Sequence, residues 1–120
     1  MKFEPLASVT ADKDALTSEY RAAREIGKLR VGELHLFVRT GLSAHYIPYR
    51  DVRRVFRRVQ LIPAKMCCGS GAFELENLVV CGEAGELCQV QLPGARAAVA
   101  VMEELRRRIP EAEFGKPAAN

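Results

Sequence analysis

The sequence predicts an α+β domain: a curled antiparallel sheet, in effect a partly open barrel, capped by one amphipathic C-terminal helix, with an extra helix near the N-terminus. Three observations predict it. From Leu29 to Leu92 the apolar residues recur mostly at every second position, the period of a half-buried strand. At Pro93-Gly94 the period changes, and Ala98, Val101, Met102, Leu105 and Ile109 then fall at i, i+3, i+4, i+7 and i+11. One apolar stripe on the helix and one apolar face on the strands must cover each other.

The 120 residues suit one domain, and 48% hydrophobic with 28% charged residues is an ordinary globular balance. That balance excludes a disordered or collagen-like chain. No apolar run reaches the ~18 residues of a membrane span, and MKFEPLASVTADKD has no signal-peptide core. A cytoplasmic location is expected. The organisation read from the pattern is an arm and helix over 1–27, a main domain over 28–110 and a tail over 111–120.

In the arm, Phe3 is the apolar anchor. Residues 11–26 carry a thin helical stripe, Leu16, Tyr20 and Ala23, with Asp12 and Asp14 at the electropositive N-terminus and Gly27 as the stop. Leu29 and Val31 then alternate with Lys28 and Arg30. Gly32-Glu33 interrupts, which predicts a bulge or tight bend, before Leu34, Leu36 and Val38 resume the alternation. Thr40–Ser43 is the turn into a strand over 44–48, ended by Pro48. Residues 51–62 fit both templates; β-branched and aromatic composition favours an irregular first turn and a strand over Val55–Ile62.

After the loop at 63–72 comes a hairpin. Phe73, Leu75, Val79 and Cys81 share a face of the first strand, and Cys88, Val90 and Leu92 a face of the second. A turn centred on Ala84-Gly85 places Cys81 opposite Cys88, both on the buried side. In the last helix Glu103 and Glu104 each precede an arginine by four residues, the favourable order for an ion pair. Pro110 ends it, and the tail beyond reads as frayed.

The net charge is +3, but its layout is uneven. Arg50, Arg53, Arg54, Arg57 and Arg58 crowd one stretch against a single aspartate, whereas Phe73–Leu92 carries four glutamates and no base. If the two become neighbouring strands their charges answer each other; if not, the arginines form a candidate partner surface for anionic lipid headgroups or phosphates. The chain lacks the interleaved aromatics of an RNA reader, so specific nucleic-acid binding is not expected.

Cysteines stand at 67, 68, 81 and 88, without the paired spacing of a zinc site. Cys67 and Cys68 are candidate reactive thiols, close to Lys65 and the arginines upstream. Cys68-Gly69-Ser70-Gly71 lacks the leading glycine of a nucleophile elbow and the lysine of a phosphate loop. His35 and His45 have no assigned acidic partner and read as exposed strand residues. No cofactor or metal is expected.

Ile47-Pro48-Tyr49-Arg50-Asp51-Val52 resembles the I-P-Y-x-D-I segment joining the second and third strands of many bacterial pleckstrin-homology-like (PH-like) domains. The hairpin ending at Leu92, then Pro93-Gly94 and the helix, resembles their C-terminal half. The resemblance covers about residues 28–109. It implies a non-catalytic binding or scaffolding domain, working through a protein partner. Members that bind phosphoinositides carry basic residues on both sides of the first hairpin. Here Lys28, Arg30 and Arg39 precede the turn but Ser43-Ala44-His45 follows it, so selective phosphoinositide binding is not expected. Weak, non-selective binding of anionic surfaces through Arg50–Arg58 is the alternative, and a cysteine-based enzyme the remote one.

Overall fold

Two sheets and two helices build the chain, whose computed structural model describes residues 1–63 and 72–115. The first sheet comprises β1 (Lys2–Pro5), β2 (Arg24–Ile26), β3 (Leu29–Val31), β4 (His35–Thr40) and β5 (Ser43–Pro48), in the spatial order β1-β5-β4-β3-β2. The second comprises β6 (Arg54–Pro63), β7 (Ala72–Gly82), β8 (Gly85–Leu92) and β9 (Glu113–Phe114), in the order β8-β7-β6-β9. Helix α1 (Lys13–Ala22) precedes β2, and α2 (Ala95–Arg108) follows β8. Each antiparallel pair joins strands that follow one another in the chain. Two parallel pairs, β1 with β5 and β6 with β9, make both sheets mixed.

One core lies between the sheets. Leu29, Val31, Leu36 and Ile47 of the first meet Val55, Leu78, Val80 and Val90 of the second, and Val101 and Leu105 of α2 complete it. Leu105 is 1% exposed. A smaller cluster occupies the outer face of the first sheet, where α1 docks. Tyr20 of α1, Phe37 of β4 and Phe3 of β1 meet edge to face, with ring centroids 5.2–5.9 Å apart. Phe3 therefore anchors the arm as its sequence context suggests, but the arm is itself a strand.

Helix α1 is shorter than the periodicity over 11–26 indicates. Asp12 caps it, its carboxylate accepting the Ala15 N–H at 2.8 Å, and Arg24–Ile26 has already joined the sheet. Gly27, at φ 61°, serves the turn between β2 and β3. In the tail, Glu113–Phe114 is a strand and not a frayed end: the Glu113 N–H donates to the Arg53 carbonyl at 3.0 Å and the Gly115 N–H to Val55 at 3.1 Å.

The β7–β8 hairpin departs from the expected register. Its turn residues are Glu83-Ala84, with Gly82 opposite Gly85, and an irregularity beside Val80/Cys81 leaves Leu87 unpaired. Val80 thus faces Cys88, and Cys81 faces Glu86. The core face of β7 is Leu78 and Val80, opposite to the face read from Phe73, Leu75, Val79 and Cys81. Val79 is nonetheless fully buried on the outer face beside Phe56, its partner on β6, which lies beneath the Arg58 guanidinium at 5.5 Å. Both faces of this stretch are apolar, so alternation alone assigns no side.

Candidate functional site

The five arginines between 50 and 58 do not form one surface. Alternation along β6 sends Arg57 to the core face, where its Nε and Nη2 donate to Oε1 of the buried Glu76 at 2.9 and 2.7 Å. Arg58 goes to the outer face and donates to Glu86 and Gln89, each at 2.6 Å. Arg54 pairs with Glu113 and donates to the Gly115 carbonyl at 2.9 Å. Arg50 and Arg53 are exposed in the turn before β6 and have no ion pair among the described residues. Their field, after the Ser8 N–H that donates to Asp51 at 2.9 Å, holds the Asp51 carboxyl below its usual range. Cross-strand glutamates thus answer Arg57 and Arg58 as the charge layout suggests, while Glu113 comes from the unanticipated β9.

Cys67 and Cys68 lie outside the described residues. Cys81 and Cys88 are half-buried free thiols, not an opposed buried pair. Burial pushes the Cys88 thiol up to about 11, and burial followed by Glu86 raises Cys81.

The histidines also differ from their sequence reading. His45 lies across from Val38, and its Nε2 is 3.2 Å from Glu4. His35 is only 3% exposed. Its Nδ1 is 2.7 Å from Glu19 Oε1 and its Nε2 is 2.5 Å from the Thr10 hydroxyl. A carboxylate only accepts, so Nδ1 carries a proton; in the neutral ring Nε2 then accepts from the Thr10 hydroxyl. A hydroxyl–imidazole–carboxylate row resembles the machinery of acyl transfer. Here Glu19 Oε2 also takes the backbone N–H groups of Leu34 and His35, at 2.9 and 2.7 Å. The row ties residues 10–20 to the β3–β4 bend.

A groove lies between β2 and α2. It has a volume of about 690 Å³, and its walls are Arg24, Glu25 and Ile26 on one side and Ala95–Ala97, Val99, Ala100 and Glu103 on the other. β2 is the terminal strand of its sheet, with no further strand on its outer side among the described residues. Val99 stands 45% exposed beside it, an aliphatic residue off the core stripe of α2. That placement is the one signal in the sequence that could have marked the groove.

Arg24 of the groove wall belongs to a cluster in which three arginines converge on a single carboxylate. Arg24 Nη1 and Arg107 Nη2 donate to Glu104 Oε1 at 2.9 and 2.6 Å, and Arg108 Nε stands 3.6 Å from Oε2. The Arg24 hydrogen bond, then the charges of Arg107 and Arg108, hold the Glu104 carboxyl below its usual range. Of the helical pairs expected, Glu104–Arg108 is present, whereas Arg107 turns from Glu103 to Glu104.

No protein-family model, curated protein or solved structure matches this chain. Among the described residues no helix is long and apolar enough to cross a membrane, and no group of three or more His, Cys, Asp or Glu side chains is placed to hold a metal.

Proposed function

We propose that this chain is a non-catalytic PH-like binding or scaffolding module that engages a protein partner in the cytoplasm, and that the partner's peptide lies in the groove between β2 and α2. The observation that carries the reading is that groove: an open strand edge, an apolar helix flank and an exposed valine in one cavity. An extended peptide gains backbone hydrogen bonds from such an edge and side-chain contacts from the helix. Support for the PH-like part is the C-terminal helix completing a core shared by two sheets, together with the Ile47–Val52 segment. The arginine run speaks less for an anionic surface, since Arg54, Arg57 and Arg58 already pair with Glu113, Glu76 and Glu86.

Selection of a random-peptide display library on the intact chain tests this. Selected peptides should shift the backbone amide resonances of Arg24–Ile26 and of α2, and Val99→Arg should abolish their binding without changing the melting temperature. Peptides that bind elsewhere, or whose affinity survives Val99→Arg, would overturn the assignment. Salt-resistant, headgroup-selective capture on phosphoinositide vesicles would instead favour the lipid class.

A further inference from the structure

The ladder of β6 on β7 runs unbroken from Arg54 to Pro63, but β9 covers the other edge of β6 only at Arg54–Val55. Among the described residues no strand pairs with that edge from Arg57 to Pro63. The Gly115 N–H donates to the Val55 carbonyl, so Val55 turns its backbone groups towards β9. By the two-residue alternation Arg57, Val59, Leu61 and Pro63 turn theirs the same way. Each of them but Pro63 offers the open edge both an N–H and a carbonyl.

The side chains along this edge are as bare as its backbone. Val59 and Leu61 are 43% and 68% exposed, on the face whose inner part is Val55 of the core. Edges are ordinarily blunted by a charge or a bulge. Val59, Gln60, Leu61 and Ile62 carry no charge, and the ladder there has no bulge. The charges stand at the inner end, where Arg57 and Arg58 pair with Glu76 and Glu86.

A second copy of the chain fits this edge. The open stretch Arg57–Pro63 has its midpoint at Gln60. Antiparallel pairing about a twofold axis there sets Val59 against Leu61 of the second copy, two outward-facing residues that exchange both backbone bonds. Arg57 falls against Pro63, which lacks an N–H but accepts one. The arginines of the two copies then lie at opposite ends of the seam, whereas a parallel copy would line them up. Each Arg57 end meets the uncharged end of the other β6, beside which Glu74, the partner of Leu61 on β7, stands exposed. A register centred on Val59 would drive Pro63 onto the position that β9 occupies beside Val55, and one centred on Leu61 would set Val59 against the missing N–H of Pro63. The same edge is spent on both copies, so assembly stops at two.

We propose that the chain forms a twofold dimer through the open edge of β6, antiparallel about Gln60, joining the second sheets of two copies into one. The proposal is independent of the groove between β2 and α2.

Sedimentation equilibrium on the full chain at rising concentration tests it. The mass should climb from 13.3 kDa to twice that value. In a mixture of isotope-labelled and unlabelled chains, intermolecular NOEs should join the methyls of Val59 and Leu61. Leu61→Lys sets a charge in the seam, and Leu61→Pro removes an N–H that faces away from β7, so neither touches the β6–β7 ladder. Each should raise the dissociation constant about tenfold or more, and the melting temperature of the dilute chain should not change. A chain that stays monomeric at every concentration would overturn the proposal. So would a dimer that both variants leave intact, or one whose intermolecular NOEs fall on Val99 in place of Val59 and Leu61.

Discussion

Glu19 grips His35 twice: one carboxylate oxygen accepts from the ring Nδ1 and the other from the backbone N–H of the same residue, both at 2.7 Å. The ring packs edge to face on Tyr46 with centroids 5.5 Å apart. Replacing Glu19 by Ala leaves two backbone donors and one imidazole N–H without their acceptor. Each unmet donor costs about 1–3 kcal/mol when buried, and the Leu34 N–H can turn to water. The expected loss is about 2–4 kcal/mol in urea unfolding, and a near-neutral Glu19→Ala would refute the latch.

Gly32 depends on the same carboxylate. A Cβ there would lie 2.3 Å from Glu19 Oε2. The end of a glutamate usually moves aside, but this one is held by the Leu34 and His35 N–H groups. Gly32→Ala should therefore destabilise by an amount close to Glu19→Ala, and the double variant should cost little more than either alone. Simple addition of the two effects would show that they act separately.

Leu105 joins α2 to both sheets from a fully buried site. Leu105→Ala should cost about 2–5 kcal/mol by equilibrium unfolding. Val99→Ala, on the exposed flank, should change stability by less than about 0.5 kcal/mol. Equal effects would contradict the facing assigned to the helix.

Thiol alkylation reports the β7–β8 register. With its thiol raised to about 11, Cys88 should label slowly at pH 8 and faster as pH climbs towards that value. The unfolded thiol ionises near 9.0, below the folded one. The contribution of Cys88 to stability is thus complete below pH 9 and is lost as pH rises through about 11. Recovery of a Cys81–Cys88 disulfide from mildly oxidised native protein would contradict the pairing of Cys81 with Glu86 and Val80 with Cys88.

The fold was legible where pattern and turn chemistry agreed. The alternation of Leu29 and Val31, the break at Gly32 and the stripe from Ala98 to Ile109 all appear in the core or at its bends. The register of β7 on β8 was not legible, because Val79 and Val80 are both fully buried and a one-residue shift of the turn reverses their faces. Parallel pairing of Lys2–Pro5 and Glu113–Phe114 leaves no mark in the sequence for another reason: strands this short have no period of their own, and tertiary contact alone selects them. Glu19 carries no local sign of its role either, since Leu34 and His35 reach it only through the packing of α1 on the first sheet. The arginine run was conspicuous in composition, but the two-residue period of β6 divides it between faces.

The parallel clasps also set an order of assembly. Every antiparallel pair joins neighbours in sequence and can form as soon as its turn closes, whereas β1 waits for β5 and β9 waits on β6. Both ends of the chain therefore fasten last and release first. In native-state hydrogen exchange the amides of Lys2–Glu4 and Glu113–Gly115 should open without carrying the core with them, leaving a folded centre whose β5 and β6 edges are briefly bare. A segment of another chain arriving in that interval would find two ready-made seats.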